Sequence, residues 1–408
     1  MAKKTSAKKS VAKKSAAKKE SAKKAKFTVG EEAEAVAQAE LPPASSDDIT
    51  DTPADGVAGF GVTASRHFSS WMASLRLSLA FTTYQAGKLF LVGLNPETGR
   101  LAIEERTVDR CMGIAAQGNG LYVASRFQIW RFENALPRGQ AQDGYDAVYV
   151  PKASHVTGDI DTHEMAIDGD GRLIFVNCLF SCLARLSRDY SFHPIWQPTF
   201  VSTLAPEDRC HLNGMALVDG VPAYVTSVST SDVADGWRDR RTEGGVVVDV
   251  RYNEVICENL SMPHSPRWHD GKLWLQESGT GFLGYVDPEE GRFEPVVFCP
   301  GYMRGMAITN NFAVVAISKA REAHSFGGLK LEENLKERDA DARCGLLVIE
   351  LNSGNIVHWL RLEGIVEELF DVAVLPGVIR PRAVGFVTDE IARTISLPPI
   401  EATDMVAR

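Results

Sequence analysis

The sequence predicts an all-β protein: a six-bladed β-propeller closed by pairing N- and C-terminal strands in one blade, preceded by a disordered N-terminal tail. Three observations lead there. Short runs with apolar alternation, broken by Gly, Asp, Asn and Pro, recur along the body and mark strands joined by turns. Two kinds of hairpin alternate six times, the pattern of four-strand repeat units. The repeat also begins and ends on complementary halves of one unit. Residues 265–297 show the unit most plainly, with PRW/GKLWLQES followed by GFLGYVD-PEEG-RFEPVV.

Residues 1–26 repeat Ala-Lys-Lys every five residues. On a helix that step advances roughly 140°, so the lysines would spread around the axis without an apolar stripe. Self-repulsion and low hydrophobicity therefore predict disorder. Eleven Lys and one Glu give this tail +10, and the total of −9 leaves −19 on the remainder. Such a tail fits non-specific polyanion contact, nucleic acid included, or a solubilising extension. Residues 27–60, rich in Ala, Glu, Asp, Pro and Ser, read as an acidic linker, so that 1–60 lie outside the folded body.

The propeller is assigned to residues 61–395, opening with a short helix that runs into a strand over 67–85, and 396–408 read as a C-terminal tail. Hairpins of the outer kind sit at 87–108, 128–150, 181–197, 244–260, 281–297 and 344–362. Hairpins of the inner kind, whose second strand ends in small residues, sit at 112–125, 165–177, 215–227, 266–278, 306–318 and 371–387. Joining the last inner pair to the first outer hairpin completes a blade and hides the sheet edges. A charged helical insertion is expected at 329–340.

Hydrophobic content of 44% with 8% aromatics suits a soluble globular body, and no apolar run reaches the ~18 residues of a membrane span. The charged N-terminus is not followed by a signal-peptide core, so a cytoplasmic location is expected. The seven cysteines are odd in number and scattered along apolar strands, which predicts reduced thiols. Cys178 and Cys182 lack a second pair at zinc-finger spacing and read as core packing.

In a propeller, the residues just before each inner strand ring one mouth of the central channel. Here they are Arg110 and Cys111; Asp161, His163 and Glu164; His211 and Asn213; His264; Arg304; and Glu368 with Asp371. His163, His211 and His264, from three consecutive blades, predict a site for one divalent transition metal, because neutral imidazole nitrogens at about 2 Å are good ligands. Such an ion can activate water or polarise a carbonyl. Glu164, Asp371 and Arg304 are then the candidate catalytic groups. Arg110, Asp161, Asn213, Arg267 and Glu368 are candidate ligand-binding residues, the arginines suiting an anion.

Two function classes follow: a metal-dependent hydrolase or lyase of a small anionic molecule, and a non-catalytic propeller that binds a metabolite or peptide. Against both stands the plainer reading that these polar residues cap strands and tie neighbouring blades. No HExxH, GxxxxGK[ST] or GxSxG motif occurs. His324, beside Phe326, Gly327 and Gly328, is a candidate flap residue. His155 and His269 read as surface or supporting residues, and His193 and His358 as structural.

The stretches SLAFTTYQAGKL (78–89), FSCLARLSRDYSFHPIWQP (180–198), LAPEDRCHLNGMAL (204–217), SMPHSPRW (261–268), LWLQESGTG (273–281) and ELFDVAVLPGV (368–378) carry a resemblance. They resemble a bacterial family of conserved hypothetical proteins defined as a domain of unknown function, over about residues 65–390. The resemblance implies a propeller and no particular reaction. The body is more loosely similar to gluconolactonase- and strictosidine-synthase-like propellers, whose metal site is built on carboxylates and Asn where this ring is rich in histidine.

Overall fold

The computed structural model describes residues 60–319 and 327–395. The lysine-rich tail, the linker before Phe60, the C-terminal tail and residues 320–326, with His324 and Phe326 of the expected flap, lie outside the described residues.

Strand β1 (Phe60–Ala64) and helix α1 (Phe68–Leu75) lead into β2 (Leu77–Thr83), β3 (Lys88–Leu94) and β4 (Leu101–Thr107). The second blade holds β5 (Ile114–Gln117), β6 (Gly120–Ala124), β7 (Gln128–Asn134) and β8 (Ala147–Val156). The third holds β9 (Thr162–Ile167), β10 (Leu173–Asn177), β11 (Cys182–Arg185) and β12 (His193–Trp196). The fourth comprises β13 (Leu212–Val218), β14 (Val221–Ser227), β15 (Gly245–Asp249) and β16 (Glu254–Leu260). The fifth comprises β17 (Pro263–His269), β18 (Lys272–Glu277), β19 (Phe282–Asp287) and β20 (Arg292–Phe298). In the sixth, β21 (Tyr302–Thr309) and β22 (Phe312–Ser318) precede helix α2 (Lys330–Glu337), then β23 (Gly345–Glu350) and β24 (Asn355–Gly364). β25 (Val372–Pro376), β26 (Pro381–Ala383) and the short α3 (Glu390–Arg393) end the described chain.

Each blade is an antiparallel sheet with its four strands in sequence order, except the first, whose order is β25-β2-β3-β4. The alternating hairpins of the sequence are thus the inner and outer pairs of six propeller blades, and α2 is the expected helical insertion. Middle strands sit between two neighbouring blades and are buried along their length: LSLAFTT of β2 and GVVVD of β15 are buried at every position. Edge strands such as β4 and β16 keep one face in water and carry the charges.

Ring closure differs from the hairpin expected at 371–387. β25 alone is the innermost strand of the first blade, paired with β2 from Leu77↔Pro376 to Phe81↔Val372. Beyond Gly377 the chain does not turn back, because β2 already fills the place beside β25. Residues 381–383 cross instead to the second blade as β26, parallel to β8 on its outer edge. Pro381 lacks an N–H and suits an edge. At the other end β1, which begins at Phe60, lies outside β24 from Phe60↔Gly364 to Ala64↔Leu360. Helix α1 packs Phe68, Trp71 and Met72 into the core shared by the first and sixth blades, and Phe81 stacks on Phe90 with ring centroids 4.9 Å apart.

Phe81 is fully buried on the strand that β25 must find. Phe81→Ala should cost about 3–5 kcal/mol, whereas Val387→Ala, at a position 77% exposed, should stay within about 0.5 kcal/mol. Chemical denaturation of the two variants checks both values.

Candidate functional site

Arg110, Asp161 and His211 hold the same place in three successive blades, four residues before Ile114, Met165 and Met215. All three have left-handed backbone, with φ of 44°, 56° and 56°. That conformation costs a residue with a Cβ of order 1 kcal/mol. Here the end of the adjacent strand holds it: the Cys178 N–H donates to the Asp161 carbonyl at 3.3 Å and the Val228 N–H to the His211 carbonyl at 3.2 Å. In the sixth blade the left-handed residue is Gly305 (φ 71°), directly before Met306, where a Cβ would lie 2.5 Å from Asp371 Cα.

Buried oxygens then tie one inner strand to the next. Glu164 Oε2 accepts the Met215 N–H at 2.7 Å, Asp371 Oδ2 accepts the Ile114 N–H at 2.9 Å and Ser265 Oγ accepts the Gly305 N–H at 3.1 Å. For Glu164 and Asp371 the interblade tie expected of such residues is therefore present. Glu164 is also paired with Arg267. Burial pushes Asp371 up to about 8, reinforced by Glu164 and opposed by Arg267; burial raises Glu164 too, against the same guanidinium. Arg304 pairs with Glu368 at 2.5 Å, its guanidinium over Phe370 at 5.2 Å and Tyr302 at 5.4 Å. Arg110 spans Asp159 and Asp161, each at 2.9 Å.

The imidazoles are oriented from behind. His163 Nδ1 lies 3.1 Å from the Asp161 carbonyl oxygen and His264 Nδ1 lies 2.9 Å from that of Met262. A carbonyl only accepts, so in both rings Nδ1 carries the proton and Nε2 keeps a lone pair. Burial holds His163 down to about 4 and His264 well below the usual range, with Arg304 adding to the effect; both rings are neutral. Burial alone would raise Asp161, but His163, His211 and Arg110 outweigh it and keep its carboxyl low. His211 Nδ1 is 2.9 Å from Asp208 Oδ2 and 3.2 Å from Cys178 Sγ. Its ring stacks on Trp237 at 4.0 Å and meets His163 edge-on at 4.9 Å.

His163, Cys178 and His211 each offer a ligand atom within 4.8 Å of the others, a group that could hold a metal ion. His264 is not part of that group, and its ring lies edge-on to Tyr302. It borders a cavity of about 10 Å³ together with His163, Asn213, Arg304, Phe370 and Asp371, the room of about one water. His264 and Asn213 line this space, and His264 Nε2 and Asn213 Nδ2 have no hydrogen-bond partner among the described residues.

The mouth thus collects His163, Glu164, Asn213, His264, Arg304 and Asp371 around one small space. Arg110 and Asp161 stand beside it, while Arg267 and Glu368 reach it through their ion pairs with Glu164 and Arg304. Cys178, Asp208 and Trp237 were not among the expected site residues. Cys178 lies not in a purely apolar core but between an imidazole and a carboxylate, with Asp208 Oδ1 at 3.2 Å. The available signal was its place just past β10, where each second strand ends on small residues beside the start of the inner strand. Asp208 sits three residues before His211, and Trp237 donates to it at 2.7 Å. Elsewhere His155 is half-buried with Nε2 2.9 Å from the Ser191 carbonyl oxygen, His193 is exposed rather than packed as a structural residue, and His358 Nδ1 lies 3.3 Å from Ser65 Oγ.

Fold and mouth together define a six-bladed β-propeller with a buried, titratable channel mouth. The chain belongs to the family described as a domain of unknown function (DUF4915), whose pattern matches residues 66–384. No curated protein matches the sequence. Among solved structures it is similar to a chain of a nidogen/laminin complex, at 11% identity and a TM-score of 0.47 over 74% of this chain and 99% of that one. It is also similar to a protein of unknown function from Bacteroides caccae (10% identity, TM-score 0.44, 73% of this chain and 98% of that one). A third is virginiamycin B lyase from Staphylococcus aureus (13% identity, TM-score 0.37, 59% and 73%). Among the described residues no helix is long and apolar enough to cross a membrane.

Because the folded value for Asp371, about 8, exceeds the roughly 3.9 of an unfolded carboxyl, the native state keeps a proton that the unfolded chain releases. Stability from this group is full below about pH 4 and is lost as pH rises to about 8. Chemical denaturation over that range should show wild type losing up to roughly 1 kcal/mol per pH unit relative to Asp371→Asn. Parallel pH profiles for the two proteins would contradict the assignment.

Proposed function

We propose that the channel mouth binds one divalent transition metal and acts on a small anionic molecule as a hydrolase or lyase. The observation that carries this reading is the meeting of His163 and His211 with a thiol inside the reach of one ion, next to a water-sized space. His163 and His211 are the ligands; a bound ion supplies Lewis-acid activation of water or of a carbonyl. His264, which lines that space and keeps an unpartnered, unprotonated Nε2, is suited to accept a proton. Asp371, held protonated near neutrality, is suited to return one. Arg304 offers donors to an anion while Glu368 offsets part of its charge.

A second reading, a non-catalytic module binding a metabolite or peptide at the mouth, is favoured by one specific observation. Arg267 and Arg304 are each already matched to a buried carboxylate, which leaves little net positive charge for an anionic substrate. Both pairs also serve to stiffen the ring.

Elemental analysis of tag-free protein separates the two. The enzyme reading expects about one equivalent of a transition metal, reduced to trace in a His163→Ala, His211→Ala double variant whose circular dichroism stays native. Metal-free protein with full thermal stability would favour the binding module and reject the metal.

A further inference from the structure

We infer that His163, Cys178 and His211 form a mixed imidazole–thiolate seat for one borderline-soft divalent ion of the zinc class. The inference rests on the metal reading above and makes Cys178, rather than His264, the third protein ligand.

Distance is the first argument. With Zn–S of about 2.3 Å and Zn–N of about 2.0–2.1 Å, two ligand atoms on one tetrahedral zinc lie roughly 3.3–3.8 Å apart. All three residues place a ligand atom within 4.8 Å of the others, and the Cys178 thiol already meets the His211 ring, whose Nδ1 is turned to Asp208 Oδ2 at 2.9 Å as the outer nitrogen of a metal-bound ring would be. Among the described residues His264 is in no such group.

The surroundings are those of a ligand set. Metal-bound histidine characteristically donates its other ring N–H to a carbonyl or carboxylate, and His163 already donates Nδ1–H to the Asp161 carbonyl. Asp208 lies against both His211 and Cys178 and is itself anchored by the Trp237 indole N–H. A cysteine serving as a small hydrophobe would face apolar atoms, yet this one, fully buried, faces an imidazole and a carboxylate. Burial and Asp208 keep its thiol protonated in the absence of an ion. Coordination forms a metal–sulfur bond, breaks the S–H bond and sends one proton to solvent, which cancels one unit of the ion's charge in a dry site.

Donor chemistry sets the class of ion. One thiolate with two imidazoles prefers zinc and its soft neighbours over magnesium, calcium or manganese, which take oxygen ligands. Three protein ligands also leave a fourth tetrahedral position open.

The test is titration of metal-stripped full-length protein with Co²⁺ as the optical stand-in for Zn²⁺. Wild type should develop a near-ultraviolet thiolate-to-cobalt charge-transfer band that one equivalent of Zn²⁺ abolishes. The band should vanish in Cys178→Ser and survive in His264→Gln. Zn²⁺ affinity should fall in Cys178→Ser by more than the roughly 10–100-fold that loss of an outer partner costs. Thermal melts verify that each variant folds. Should Cys178→Ser not fold, loss of the wild-type band in His163→Gln supports the seat in its place, and retention of the band there overturns it. Cobalt bound without a charge-transfer band, or a band kept in Cys178→Ser, overturns the thiolate seat and leaves a metal at the mouth. Failure to take up either ion overturns the seat and the metal reading together.

Discussion

Closing six sheets into a ring forces ionisable side chains from separate blades into one buried space, and the compensation of their burial governs the rest of the structure. A carboxylate removed from water is tolerated only when donors replace its solvent. Glu164 finds a donor in the Met215 N–H of the next blade and a counter-charge in Arg267, while Asp371, held protonated by its burial, accepts the Ile114 N–H. The same bonds fix how one inner strand sits against the next. The ties work only if β25, from one end of the body, docks on β2 from the other. Closure and charge compensation are therefore one event, and Gly305 is needed where β21 passes closest to Asp371.

That arrangement gives the mouth its chemical character. Burial keeps His163 and His264 neutral, and backbone carbonyls fix their tautomers, so their lone pairs are directed without cost at the moment of binding. Left-handed backbone also occurs at this end of the channel, at Arg110, Asp161 and His211. The arginines, by contrast, are already matched with carboxylates. Among the described residues His264 Nε2 and Asn213 Nδ2 have no partner, and the space these residues line is the size of a water.

The architecture was legible because a propeller repeats its local pattern. Six alternations of an inner and an outer hairpin declare six blades whatever their loops do, and the charged stretch at 329–340 reads as the helix it forms. The closing strand was only half legible. Residues 371–387 show the same apolar alternation as other inner pairs, but whether a strand pairs with its own hairpin or with one about 300 residues away depends on the filled ring, which local pattern does not encode. Histidine placement followed from the topology, since the start of an inner strand must face the mouth. The roles of Cys178 and Asp208 did not, because strand twist and the turn at Asp161 decide what a residue just past a strand faces. The matching of Arg304 with Glu368, 64 residues apart in sequence, is likewise a property of the closed ring.

The central claim is that closure assembles a metal-binding centre from side chains of adjacent blades. Anomalous diffraction from crystals of the natively purified protein, recorded on both sides of the zinc absorption edge, tests it most directly. The account predicts one strong peak bonded to His163, Cys178 and His211. A map without anomalous signal at the mouth, or a peak coordinated by His264 with Cys178 still a free thiol, would contradict it.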